Sequence, residues 1–391
     1  MIYLDNAATT KPFKETLETY NTVNEKYFFN AASVHKGGQE VSQLLEASRS
    51  QMKELLNLND YGLIFTSGAT ESNNIAIQST IKRKIKFGKT VLVSELEHPS
   101  VIEVLRNIEG INLVYINTKR DGIIDLEDLK EKMNDDVIFV SIIAVNNIVG
   151  SVNPVEEIIK IVKEYNRAFL HIDATQAIGK IDLDYNGVDA LTLSAHKFYG
   201  VKGVGALFIK EINALNPVMY GGGHEFNIRS GTVNVPGVVS MAKALRLATE
   251  NMNHANKNLK SYNKKITDHF KDYKAIYIQP SHLPNYINMS INGVKGEVIV
   301  NALSKRSIYV STTSACASQR DELNETLIAM GNKNSVIEGS IRITMGQYTT
   351  EEEVDQFITV FDEIYKELGD VFIELWFNTC KIRRTYAKKE K

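Results

Sequence analysis

Between about residue 60 and residue 210 one pattern recurs: short runs of branched apolar residues, with no polar alternation, separated by amphipathic stretches. The runs are Leu63–Phe65, Thr90–Val93, Leu113–Ile116, Val137–Val145, Ala168–Ile172, Ala190–Leu193 and Val204–Ile209. A strand with one wet face alternates apolar and polar residues, so an unbroken run fits a strand covered on both faces. Val155, Ile158, Ile159, Val162 and Tyr165 fall at helical spacing between two of the runs. Asn153 and Pro154 supply a cap and a first-turn proline for that helix. The alternation predicts an α/β protein with a mostly parallel, seven-stranded sheet and helices on both faces.

After about residue 250 the texture changes. A polar, Lys- and Asn-rich helix is expected over Asn251–Lys271, strands over Tyr286–Ile291 and Ser340–Thr344, and a closing helix over Thr350–Glu367. This reads as a smaller α+β domain. From Lys381 to Lys391 six cations face only Glu390, which reads as a solvated, frayed end. A chain of 391 residues suits two unequal domains. The net charge of −2 gives no global field for nucleic acid or an acidic membrane. The apolar run Val137–Val145 is too short to span a bilayer, and Met1–Asp5 lacks a basic region followed by an apolar stretch. Two cysteines, Cys316 and Cys380, make a disulfide framework improbable and point to a reducing cytoplasm. No His or Cys pair has metal-ligand spacing, so no metal is expected.

Ligands of a parallel sheet bind at the carboxyl ends of its strands, so the residues just past each run belong together. After Phe65 come Thr66 to Asn74, where Gly68, Ala69 and Thr70 open a helix. Small residues there leave backbone amides free for an anion such as phosphate, or the segment is a plain capped helix. Glu97-His98 follows the next run; His98 is either a surface imidazole or a ring that stacks on a planar group and moves protons. Asn146-Asn147 either caps a turn or orients a polar substrate group. Asp173 ends a buried run and needs a partner, for which a cationic ring nitrogen is suitable, or it caps the next turn. Ser194-Ala195-His196-Lys197 sits before Gly200, Gly203 and Gly205. Lys197 is either a snorkelling surface residue or an imine-forming amine, with the neighbouring hydroxyl and imidazole on a phosphate. Each signal is weak alone. Together they form the inventory that pyridoxal 5'-phosphate requires.

At this point the sequence closely resembles bacterial cysteine desulfurases of the NifS/IscS type, class-V-aminotransferase-like proteins of fold type I. The resemblance rests on Tyr3 to Thr10, Thr66 to Asn74, Glu97-His98, Asn146-Asn147, His171 to Gln176 and Ser194 to Lys197. It continues through Gly221 to Glu225, Arg229 to Thr232, Ser314-Ala315-Cys316 and Ile341-Arg342. It implies a large cofactor domain over 14–250, a small domain from 1–13 with 251–368, and a tail over 369–391. It also implies roles. Lys197 carries the cofactor as an imine, Asp173 pairs with the ring nitrogen, Gln176 meets the ring hydroxyl, and His98 stacks and transfers protons. Gly68, Ala69, Thr70, Ser194 and His196 hold the phosphate, with Thr232 reaching in from the second subunit of a homodimer. Arg342 grips the substrate carboxylate, assisted by Asn147 and Asn30. Cys316, in a run of small and polar residues, takes sulfur from L-cysteine as a persulfide, releases alanine, and hands the sulfur to an acceptor. That acceptor is an iron–sulfur scaffold, a tRNA-thiolating enzyme or a thiamine-pathway carrier.

Two departures stand out. Ile148-Val149-Gly150 follows the paired asparagines where such sequences usually carry Glu-Ile-Gly, and Phe29 to Ser33 has alanine where proline is common. The competing readings are a class-V aminotransferase, which needs no thiol, a selenocysteine lyase, and a non-catalytic sulfur-transfer scaffold.

Overall fold

The computed structural model describes residues 1–313 and 323–387, with side chains up to residue 369. Cys316 and the side chain of Cys380 lie outside the described residues.

The seven runs form one sheet: β1 (Gly62–Thr66), β2 (Thr90–Ser94), β3 (Asn112–Ile116), β4 (Val137–Ile143), β5 (Phe169–Asp173), β6 (Ala190–Ser194) and β7 (Gly205–Ile209). Their order across the sheet is β1-β7-β6-β5-β4-β2-β3, and only β7 runs antiparallel to its neighbours. Every residue of β2, β4, β5, β6 and β7 is buried, as a sheet covered on both faces demands. One apolar layer holds Leu92, Val140, Leu170 and Leu193 with Val155, Ile158 and Val162, and the other holds Val91, Ile138 and Phe139 with Ile75, Ile77 and Ile81. The run expected to reach Val145 stops as a strand at Ile143.

Two helices differ from expectation. The helix Val155–Lys163 has no side-chain cap. Asn153 instead donates to the Ile143 carbonyl (2.7 Å) and accepts from the Ile124 amide (3.0 Å), tying down the end of β4. The long helix expected over Asn251–Lys271 begins at Val235 and ends at Phe270. Asn234 caps it by accepting from the Gly237 amide, and Val238, Met241, Leu245 and Ala248 form a buried stripe that extends it toward its amino end.

A second core contains Leu259, Ile266 and Phe270 of that helix with apolar residues of the strands β8 (Ile276–Ile278), β9 (Tyr286–Ile291) and β11 (Ser340–Thr344), and the short β10 (Ser311–Thr312) joins their sheet. These strands form an antiparallel sheet in the order β10-β11-β9-β8. Ile2 and Leu4 belong to the same core, and Ile2–Tyr3 pairs in parallel with Ile308–Tyr309. The closing helix runs Glu351–Ala387, so much of the segment set apart above as a tail has helical backbone. Among the described residues no helix is long and apolar enough to cross a membrane, and no cluster of His, Cys, Asp and Glu could hold a metal ion.

Candidate active site

The strands β1 to β6 point the same way, so Thr66, Ser94, Ile143, Asp173 and Ser194 all end at one edge of the sheet. Gly68 is the N-cap of the helix Ala69–Lys84, which places Ala69 and Thr70 in its first turn. The amides of that turn have no partner within the helix, and the helix dipole adds to their pull on an anion. Gly205, entering β7, lies so close that a Cβ there would stand 2.6 Å from the Gly68 Cα and 2.8 Å from the Leu193 carbonyl. A side chain at Gly68 would in turn meet the Ser194 hydroxyl at 3.5 Å. The two glycines thus bring the Ser194 hydroxyl over the start of the helix. His196 and Lys197 follow in a single 3-10 turn, Ala195–Lys197. The His196 ring lies 3.2 Å from the Thr9 hydroxyl, and burial with nearby Lys197, Lys202 and Lys180 pulls its pKa down to about 4. It is therefore a neutral hydrogen-bonding ring at pH 7. A bound anion would raise its proton affinity.

Lys197 donates to the carbonyls of Ala7 (2.7 Å) and Ala8 (2.9 Å). The Ala7 carbonyl also accepts from the Gln176 Nε2 (2.9 Å), so the amine and the amide converge on one oxygen. Asp173 is 2 % exposed. Its carboxylate accepts from the Asn73 side chain (3.0 Å) and the Thr175 amide (2.9 Å). Asn73 also donates to the Ser100 hydroxyl (2.9 Å), which lies 2.8 Å from the His98 Nδ1. His98 caps the helix Pro99–Arg106 by accepting the Ser100 amide on the same nitrogen. A hydrogen-bonded line therefore runs from Asp173 through Asn73 and Ser100 to His98. Because Nδ1 is an acceptor, the neutral His98 ring carries its proton on Nε2. Burial and the Lys197 charge hold its pKa below the usual value, against the opposing pull of Asp173. Beside it, Glu97 accepts from the Ile143 amide; burial and the Asp173 charge push its carboxyl well above the carboxylate range.

Arg342, in β11, reaches from the small sheet to the large one. Its guanidinium donates to Asp5 (2.8 Å) and to the backbone carbonyl of Asn147 (2.9 Å). The Nε of Arg342 is buried without a partner among the described residues. A buried guanidinium N–H left unmet costs on the order of 1–3 kcal/mol, which a planar carboxylate in the fork would relieve. Asn147 thus serves Arg342 through its backbone. Asn146 is the turn residue: its side chain accepts the Ile148 and Val149 amides and donates to Leu96. Ile148 packs with Leu327, Met330 and Ile337 in a small apolar cluster.

Asn30 and Thr232 stand apart from this group. They line a separate cavity of about 540 Å³ with Phe28, Arg49, Glu225 and Phe226. The Asn30 side chain accepts the Ala32 amide in a local turn, and Thr232 is exposed. The Gly221 to Thr232 loop is anchored through Glu225, which pairs with Arg49 (3.0 Å) and accepts the Phe65 amide of β1 (2.7 Å).

The residues at the strand edge fit pyridoxal phosphate by their donor chemistry. Asp173 is a buried carboxylate whose neutral donors leave its charge to be met by a cationic ring nitrogen. The buried Thr175 hydroxyl and the Asn73 amide oxygen beside it have no partner among the described residues. The helix start with Ser194 and His196 suits the phosphate, and Lys197 is the amine between them.

A family model described as aminotransferase class-V matches residues 2–357, and the chain belongs to this family. A protein of Lactobacillus delbrueckii subsp. bulgaricus named NifS/IcsS protein homolog is 38% identical over 381 residues, covering 95% of this chain and 99% of that protein. A Dictyoglomus turgidum protein named cysteine desulfurase IscS is 37% identical, with 95% of this chain and 96% of that one covered. A solved structure titled NifS-like protein superposes with a TM-score of 0.87 at 34% identity, covering 93% of this chain and 99% of that one.

The sequence pattern had not singled out Asn73, Ser100, Ala7 or Asp5 as site residues. Asn73 sits inside the Thr66 to Asn74 segment, Asp5 and Ala7 inside Tyr3 to Thr10, and Ser100 lies two residues past Glu97-His98. Ala7 contributes a carbonyl, which no side-chain pattern marks.

Proposed function

We propose that this chain is a pyridoxal-phosphate-dependent cysteine desulfurase. The observation that carries the reading is the convergence of Asp173, Lys197 and a phosphate-ready helix start on one sheet edge, in a chain whose full-length relatives bear that name. When bound, the cofactor withdraws electrons from the α-carbon of an amino acid. The protein's own part is binding, orientation and proton handling. Asp173 holds the ring nitrogen and Gln176 the ring oxygen. Gly68, Ala69, Thr70, Ser194 and His196 hold the phosphate, and Lys197 forms the covalent link. Arg342 takes the substrate carboxylate in its fork, with Asn147 fixing the fork's far side. His98 would lie against the ring, and its Nε2 is the nitrogen left to hold or move a proton, because its Nδ1 is committed to Ser100.

Cys316 is the sulfur acceptor in this reading. The segment that carries it leaves the described structure after Thr313, one residue past β10, where Ser311 is in register with Arg342. Its two stems are tied by Asn324 donating to the Thr313 carbonyl (2.8 Å). The Cys316 thiolate forms a bond to the sulfur of cysteine as the carbon–sulfur bond breaks; the bonding pair stays with the β-carbon, which takes up a proton to become the alanine methyl group, and the second thiol proton remains on the persulfide. L-cysteine and the Cys316 thiol become L-alanine and a Cys316 persulfide, and the outer sulfur passes to an acceptor protein in iron–sulfur assembly or tRNA thiolation. We place this chemistry in the cytoplasm.

The active species is a homodimer in this proposal. Phe28 (70 % exposed) and Phe226 (48 % exposed) flank the cavity that holds Thr232 and Asn30, and a partner subunit would cover them. Thr232 then reaches the partner's phosphate seat. The test is to incubate purified protein with cysteine and measure alanine, with Cys316→Ser alongside. The variant keeps the cofactor's spectral response to cysteine but releases no alanine, because oxygen is a poor nucleophile toward sulfur. Alanine release at the parent rate would sink the role of Cys316.

A further inference from the structure

Gln176 is 3 % exposed, and both ends of its amide are occupied. Its Nε2 faces the Ala7 carbonyl (2.9 Å), the oxygen also held by Lys197. Its Oε1 accepts two donors, the Lys180 amine (2.8 Å) and the Tyr286 hydroxyl (2.8 Å). Both donors are deeply buried: Lys180 is 7 % exposed and Tyr286 is fully enclosed. They come from different parts of the fold. Lys180 follows Gln176 by four residues in the turn after β5, whereas Tyr286 opens β9 in the small sheet. Tyr286 is itself pinned, since a Cβ at Gly150, where φ is +71°, would stand 2.5 Å from its ring.

A buried lysine is expensive to keep. Burial, with the charges of Lys197 and Arg342, drives its pKa well below the usual lysine range. A methionine would fill similar space without that penalty. What the amine supplies here is a hydrogen bond to one amide oxygen, on the side away from Lys197. An amide that accepts two donors at oxygen is polarised, and its N–H groups become stronger donors.

We propose that Lys180 and Tyr286 are positioning residues that orient and polarise the Gln176 amide, so that its Nε2 is presented as a strong donor to the ring oxygen of the cofactor. The proposal rests on the reading above that Gln176 meets that oxygen. A donor on the ring oxygen weakens its hold on the proton it shares with the Lys197 linkage. Loss of the donor therefore raises the pH at which the visible band of the bound cofactor titrates.

The experiment is a spectroscopic pH titration of the loaded protein in four forms: parent, Gln176→Ala, Lys180→Met, and the double variant. Gln176→Ala and Lys180→Met both move the midpoint upward, Gln176→Ala by about half a unit or more, on the order of one neutral hydrogen bond, and Lys180→Met by a measurable part of that shift. In the Gln176→Ala background Lys180→Met adds nothing. A midpoint unmoved by Lys180→Met, with Gln176→Ala shifted, overturns the proposal and leaves the role of Gln176 standing. A Lys180→Met shift that persists without Gln176 overturns it too, since Lys180 then acts by its own charge. If Gln176→Ala itself leaves the midpoint in place, the assignment of Gln176 to the ring oxygen fails and the proposal falls with it. Should Lys180→Met not fold, Tyr286→Phe, which keeps the ring against Gly150, carries the same comparison.

Discussion

Asn73 and Asn74 are sequence neighbours on one helix with very different burdens. Asn73 is fully buried and donates to Asp173 (3.0 Å) and Ser100 (2.9 Å). Asn74 donates to the Thr70 carbonyl and accepts from Gln78 near the surface. Replacing either by alanine gains helix propensity of roughly 0.5–0.7 kcal/mol, so the difference between the two variants isolates the buried contacts. Asn73→Ala loses one hydrogen bond to a carboxylate, about 1.5–3 kcal/mol, and one to a hydroxyl, about 0.5–1.5 kcal/mol. Removing the unpartnered Asn73 Oδ1 offsets on the order of 1 kcal/mol of that loss. The expected result is a variant less stable than Asn74→Ala by about 2 kcal/mol. For a chain of this length that moves the melting temperature by only about 2–3 °C. Urea unfolding of the unloaded protein, with both variants run against the parent, is therefore the better assay. If the two variants unfold within 0.5 kcal/mol of each other, by the roughly additive error of such measurements, the line from Asp173 to His98 is not a stabilising element.

Lys197→Ala loses the covalent cofactor link; borohydride reduction of the parent followed by peptide mapping places the label on Lys197, and label on another lysine refutes the assignment. Arg342→Lys keeps the charge but not the fork, so KM for cysteine rises about tenfold or more while the cofactor spectrum is unchanged; an unaltered KM would mean that the carboxylate binds elsewhere. His171 is wholly buried between the Ser141 and Thr192 hydroxyls, and burial lowers its pKa to about 4. The unfolded chain, with histidine near 6.5, takes up that proton first, so the stabilisation from the neutral ring is full above pH 6.5, declines below it, and is gone once pH passes about 4. Urea titrations of His171→Asn across that window show a flatter pH dependence than the parent, and an equal slope refutes the point. Sedimentation of the loaded protein gives a dimer; an active monomer that keeps its cofactor would falsify the role given to Thr232.

The parts of this structure that the sequence made legible share one property: they are marked locally. β2, β4 and β5 are mainly apolar runs without polar alternation because both faces of the sheet are covered, and that requirement is written locally, with Ser141 and His171 as buried exceptions within the strands. Asp173 and Ser194 end strands and His98 and the Gly68 turn follow them, and strand ends can be read off those runs. What was missed is defined across long separations. Lys180, four residues past Gln176, looks like an ordinary lysine at a turn, and only its 7 % exposure and its bond to the Gln176 amide oxygen, which also accepts from Tyr286 110 residues on from Gln176, give it meaning. Asn153 has a cap residue's chemistry but stands one residue ahead of the N-cap, Pro154, and a strand end and a backbone amide take its side chain. The early start of the helix at Val235 was hidden because Gly237 and Ser240 weaken its local propensity, and packing against the large core overrides that weakness. Asn30 and Thr232, named from the resemblance, line a cavity apart from the strand edge, and only the proposed dimer would bring Thr232 to a phosphate seat.

The helix Val235–Phe270 has one further consequence. Its first half contributes Val238, Met241 and Leu245 to the core under the large sheet, and its second half contributes Leu259, Ile266 and Phe270 to the core of the small one. A single continuous rod of 36 residues is thus common property of both. Melting either core removes the surface against which its half of the rod is packed, and a helix stripped of its packing face is only marginally stable in water. Heat should therefore not pick the two cores apart one after the other. Calorimetry of the unloaded protein would give one endotherm, with the van't Hoff and calorimetric enthalpies in agreement, where two cores joined by a slack linker would give two.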